Sequence, residues 1–176
     1  IGFDLFLATI HRITSIPVSV LYFQIFPPVA AVLIGWLTYV FVNNWTKDKK
    51  SALLATFFTY FGGSVAWIIG MGESTFWSHQ SMSTLINPPY ALSLILILSG
   101  LISLQKYSYK PSTLYYVLST VCFGLLIQIK AYAAILILGG LFIAGVYEFY
   151  KSHTFKFAKV FMGSLGINLI LFSLVK

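Results

Sequence analysis

Apolar residues run along this chain in long stretches, separated by short polar connections. A helix that crosses a membrane needs about 20 mostly apolar residues. Stretches with almost no Asp, Glu, Lys or Arg predict crossings at residues 18–42, 51–71, 88–105, 111–129, 131–149 and 160–176. Residues 1–17 follow a different pattern. Asp4, Ala8, His11, Arg12 and Ser15 form a polar stripe at helical spacing, while Phe3, Phe6, Leu7, Ile10 and Ile13 form an apolar one. Opposed stripes of this kind predict an amphipathic helix lying in the membrane interface. Residues 72–87 are polar and read as a loop.

The stretch from 111 to 149 requires a choice, because only Lys130 separates its two apolar runs. One straight helix of that length would far exceed the ~30 Å hydrocarbon core. Two crossings place three basic connections on one side. These hold Lys47, Lys49 and Lys50; Lys106 and Lys110; and Lys151, Lys156 and Lys159. Arg12, Lys130 and the terminal Lys176 fall on the other side. Basic connections favour the cytoplasm. Residues 1–17, the 72–87 loop and Lys130 are then expected outside. The predicted architecture is an all-α polytopic transmembrane bundle of about six membrane helices, preceded by the interfacial helix. The whole of 1–176 is read as a single transmembrane domain.

Composition agrees with this pattern. Of 176 residues, 59% are hydrophobic, 18% aromatic and only 9% charged. Soluble domains carry about 25% charged residues, and disordered chains are poor in apolar ones, so both classes are excluded. The net charge of +7 is dispersed over loops rather than gathered for nucleic acid. Tyr39, Trp45, Trp67, Trp77, Tyr107, Tyr109, Tyr147 and Tyr150 lie near helix ends, as in an aromatic belt. Cys122 is the one cysteine, which excludes an internal disulfide. The chain starts at Ile1 without a basic leader and is expected to be an internal piece of a longer protein. Asn44-Trp45-Thr46 fits the glycosylation pattern, but its cytoplasmic placement predicts that it is unused.

Candidate chemistry collects outside. The 72–87 loop carries Glu73, Trp77, His79 and Gln80 among many hydroxyls. An aromatic ring can stack on a sugar's C–H face while polar groups bond its hydroxyls. Glu73 has the chemistry of a general base. The competing reading is a solvated loop with Trp77 in the interface. One Glu and one His at this spacing make no metal motif. No cofactor is indicated by the residues, and a divalent metal stays open. Lys130, a cation between apolar runs, suits either a phosphate or the lipid headgroups to which such side chains snorkel. Gly62-Gly63-Ser64 is expected inside the second crossing as a packing surface. Pro27-Pro28 is expected to kink or break the first, and Pro88-Pro89 to start a helix.

Several landmarks together resemble a known group. His11 through Thr14, Ile16-Pro17, Leu21, Pro27-Pro28 and Tyr39 form the first. Phe61-Gly62-Gly63-Ser64, Asn87-Pro88-Pro89-Tyr90-Ala91-Leu92, Gly124-Leu125 and Lys130-Ala131-Tyr132 are the others. This set resembles bacterial membrane proteins of the GT-C glycosyltransferase superfamily. The resemblance implies a transferase of the inner membrane that uses a polyprenyl-phosphate-linked sugar and works on the outer face. In that case Asp4 stands in the outer-loop position of a base or metal ligand, with Glu73 the other candidate. Arg12 and Lys130 would face the donor phosphate, and Trp77, His79 and Gln80 the sugar or acceptor. The expected partners are membrane lipid and the lipid-linked donor. The alternatives are a transporter or flippase for a lipid-linked solute, and a structural subunit with no site.

Overall fold

A computed structural model describes residues 2–62 and 86–173. The described residues form helices and no strand. They are α1 (Gly2–Thr14), α2 (Val18–Thr46), α3 (Lys49–Phe61), α4 (Pro88–Tyr109), α5 (Thr113–Gly124), α6 (Leu126–Ile129), α7 (Ala131–Ser152) and α8 (Lys156–Ser173). Four of these, α2, α4, α7 and α8, are long and apolar enough to cross a membrane. The continuous run of α5 and α6, Thr113–Ile129, is shorter, about 25 Å at the helical rise. Helices α2, α4 and α7 extend past the expected crossings, to Thr46, Tyr109 and Ser152. The chain divides into two compact units, Phe3–Ile95 and Leu96–Lys176 with Ile1–Gly2.

In the unit Phe3–Ile95, α1 folds back on the start of α2. Phe3 packs edge-on against Phe26 at 5.2 Å and Tyr22 at 5.8 Å. The apolar stripe therefore divides its work. Phe3 and Leu7 are buried against protein, whereas Ile13 is 77% exposed. The turn out of α1 uses Ser15 at φ 60°, and the His11 Nδ1–H donates to the Ile16 carbonyl at 2.7 Å. Helix α2 is not cut at Pro27-Pro28. Instead it widens into a π turn over Leu21–Ile25 and then resumes with the prolines in its first α turn. Proline lacks the N–H that would bond four residues back, so the Phe23 and Gln24 carbonyls lose their ordinary α-helical donors. A π turn is the accommodation expected at such a place.

Helix α3 returns along α2. The Tyr60 hydroxyl donates to the Ala31 carbonyl, and the ring lies where a Cβ on Gly35 would stand. Asp48 caps α3, accepting from the Lys50 and Ser51 N–H groups at 3.1 and 2.9 Å and from the Ser51 hydroxyl at 2.6 Å. The Ser51 hydroxyl, and then the two N–H groups, hold its carboxyl below its ordinary pKa. Helix α3 stops at Phe61, with Gly62 extended. Gly62 is thus a helix end rather than a mid-helix packing residue, and residues 63–71 of that expected crossing lie outside the described residues.

The unit Leu96–Lys176 is held in register by close pairs. Tyr107 meets Tyr116, and Gly100 meets Phe123, so α4 and α5 are antiparallel. Gly163 faces Thr120, Gly124 faces Ile167, and the Gln128 amide donates to the Leu171 carbonyl at 2.9 Å. Both numbers rise together in these pairs, so α5–α6 and α8 run parallel. Gly145 meets Ala158 and Phe142 meets Phe161, so α7 and α8 are antiparallel. The chain therefore reverses at Lys130, which is extended between α6 and α7. Phe123 and Leu126, fully buried, centre the core with Leu104, Ala134, Leu141 and Val160. The Lys156 amine donates to the Ser108 carbonyl at 2.9 Å. That bond places the Lys106–Lys110 and Lys151–Lys159 connections at one end of the unit. Lys130 lies at the opposite end.

Candidate functional site

Glu73, Trp77, His79 and Gln80 lie outside the described residues. Asp4 and Arg12 are both exposed on α1. They are eight residues, about 12 Å, apart along the axis. They belong to the unit Phe3–Ile95, and Lys130 belongs to the other. His11, on the same polar stripe, is committed to the turn through Ile16. Among the described residues no three His, Cys, Asp or Glu side chains cluster as a metal site would require.

Lys130 has the most defined surroundings of the candidates. Its backbone N–H closes α6 on the Leu126 carbonyl at 2.8 Å. Its carbonyl opens α7 by accepting from Ala133 and Ala134. It stands at the N-cap position of α7 with no side-chain cap. A cap there is usually a Ser, Thr, Asp or Asn oxygen. A lysine at a helix N-terminus adds its charge to the positive end of the dipole. The two fields sum, and an anion is attracted where they meet. The amine lies 5.8 Å from the Tyr132 ring centre. The neighbouring Gln128 is not available to a ligand through its amide N–H bonded to Leu171. It serves α8 by covering one of that helix's last carbonyls.

Two polar arrangements escaped the sequence reading. The first is Glu148, in the last turn of α7. Its carboxylate crosses the connection and accepts from the Phe157 N–H at 3.0 Å and the Thr154 hydroxyl at 2.7 Å. It therefore caps α8 from the preceding helix. An acid at a helix C-terminus opposes the dipole, and that misfit was the available signal. The second is a buried seam between α5 and α8: Ser119, Thr120, Ser164 and Asn168. Ser164 bonds weakly to the Thr120 carbonyl at 3.5 Å, and the Asn168 amide bonds to the Ser164 carbonyl at 2.7 Å. Thr120 Oγ1 and Asn168 Oδ1 have no hydrogen-bond partner among the described residues. The i, i+4 spacing of Ser164 and Asn168 in an apolar run was the sequence signal for this seam.

No family model matches the chain, and no characterised protein or solved structure matches it either. The helices fit a multi-pass membrane protein.

Proposed function

We propose that this protein is a glycosyltransferase of the bacterial inner membrane. It moves a sugar from a polyprenyl-phosphate donor to an acceptor hydroxyl at the outer face. The six-crossing topology, with α1 in the interface, belongs to the same reading. The observation that carries it is Lys130, a cation on an uncapped helix N-terminus, at the end of its unit away from the Lys106–Lys110 and Lys151–Lys159 connections. The resemblance to GT-C proteins supports the same assignment.

In this mechanism a carboxylate, Asp4 or Glu73, takes the proton from the acceptor hydroxyl. The oxygen forms a bond to the anomeric carbon as the bond from that carbon to the phosphate oxygen breaks. The electron pair leaves with polyprenyl phosphate, whose growing negative charge Lys130 offsets, with Arg12 as a second cation. Trp77, His79 and Gln80 would shape the sugar pocket. The test uses the purified chain in lipid nanodiscs with radiolabelled polyprenyl-phosphate sugars. Lys130→Ala is expected to lower turnover about a hundredfold, the scale of one electrostatic contact to a charged transition state. Turnover unchanged by Lys130→Ala, Asp4→Asn and Glu73→Gln would remove the roles assigned here.

The π turn of α2 favours a second reading. Transporters line a path through the membrane with helices that depart locally from α geometry, and α2 departs from it over Leu21–Ile25. A flippase would move lipid-linked sugar across proteoliposomes without transferring it.

A further inference from the structure

We propose that the groove between α7 and α8 seats one acyl chain of an anionic phospholipid, whose phosphate rests on Lys159. The groove, about 390 Å³, is lined by Leu141, Phe142, Phe149, Phe155, Ala158 and Met162, with further apolar neighbours. That volume lies within the range of small-ligand sites. Its depth is informative. From Tyr150 to Leu141 it descends nine residues of α7, about 14 Å at 1.5 Å per residue. Half of a ~30 Å hydrocarbon core is one leaflet. The groove therefore begins at the connected end of the helix pair and ends near the mid-plane, as a single lipid tail does.

Charge selects the headgroup. The connection from Glu148 to Lys159 holds three lysines and one acid, and the acid is turned inward to cap α8. Lys106 and Lys110 arrive at the same end through the Lys156–Ser108 bond. Lys159 is exposed and stands one turn from Phe155 and three residues from Met162, both of which line the groove. Lys151 is different. Its amine lies over the Tyr147 ring at 5.5 Å, and neither residue lines the groove. The groove itself is apolar; the lysines gathered at its connected end supply the positive charge that acidic lipid headgroups seek between membrane helices. The inference does not depend on the transferase reading.

The experiment is native mass spectrometry of the full chain released from detergent, titrated with phosphatidylglycerol or phosphatidylcholine of the same tails. One phosphatidylglycerol is expected to remain bound in preference to phosphatidylcholine. Lys159→Ala should weaken that binding about fivefold, the scale of one basic residue at a lipid surface, and Lys151→Ala should weaken it less. Val146→Trp, placed on an exposed lining residue, should block the tail and remove binding of both lipids. Equal retention of the two lipids, an unchanged preference in Lys159→Ala, or undiminished binding in Val146→Trp would overturn the proposal.

Discussion

Glu148 is expected to set the local stability of the start of α8. Replacing it with alanine removes both acceptors of the cap, those for the Phe157 N–H and the Thr154 hydroxyl. Losing an N-cap costs about 1 kcal/mol and up to about 2. A hydrogen bond to a charged group is worth about 1.5–3 kcal/mol. Glu148 is half-buried, so water replaces part of what is lost, and about 2 kcal/mol is the expected cost. At about 1.4 kcal/mol per factor of ten, the opening equilibrium of the first turn rises about thirtyfold. Glu148→Gln keeps one acceptor oxygen and loses the charge. It should cost about 1 kcal/mol, or about fivefold. Thr154→Ala leaves the Phe157 bond in place and should cost less than either. The assay is amide hydrogen exchange in bicelles, read at Phe157 and its neighbours. The α5–α8 contact near Gly124 and Ile167 should keep its protection, because the cap acts on one turn. Unchanged exchange at Phe157 in Glu148→Ala would refute the cap. Equal acceleration along all of α8 would refute its local character.

Other outcomes follow from the same contacts. Gly100→Ala would place a Cβ 2.4 Å from the ring of Phe123, which is fully buried. It should destabilise the α4–α5 pair by about 1–3 kcal/mol, measured by unfolding in mixed detergent micelles. Thr120→Val removes a buried hydroxyl that has no partner among the described residues and keeps the shape, so the same assay should show unchanged or higher stability. Asp48 has a carboxyl pKa lowered by the Ser51 hydroxyl and by the Ser51 and Lys50 N–H groups. Its contribution to α3 is present above the unfolded value near about 3.9 and is lost as pH falls through the lower folded value. The protection factor of the Ser51 amide, its exchange relative to the intrinsic rate at each pH, should fall on acidification through that window, and Asp48→Ala should abolish that fall.

Much of this architecture is legible in the chain itself. The apolar runs mark α2, α4, α7 and α8, because lipid demands that every backbone group be satisfied within its own helix. The lysine connections were legible as groups, and the single break at Lys130 pointed to a reversal. The candidate site was legible only as residue types. Lys130 stood out by its charge, but its place at an uncapped helix N-terminus depends on where α6 ends and α7 begins. Gln128 is two residues from Lys130 in the chain, whereas the fold gives its amide to the Leu171 carbonyl. Glu148 had no role legible in the sequence, because its partners Thr154 and Phe157 meet it only when the connection closes.

The sequence by itself determined that the chain is helical and apolar enough for a membrane, since period, length and charge are local properties read one segment at a time. Only the tertiary structure decided which helices are neighbours, which polar groups are spent on capping, and that Lys156 bonds the carbonyl of Ser108. Those are pairwise matters. A hydrogen bond between residues 48 positions apart, such as Lys156 to Ser108, depends on where the intervening helices turn. No single segment carries that information.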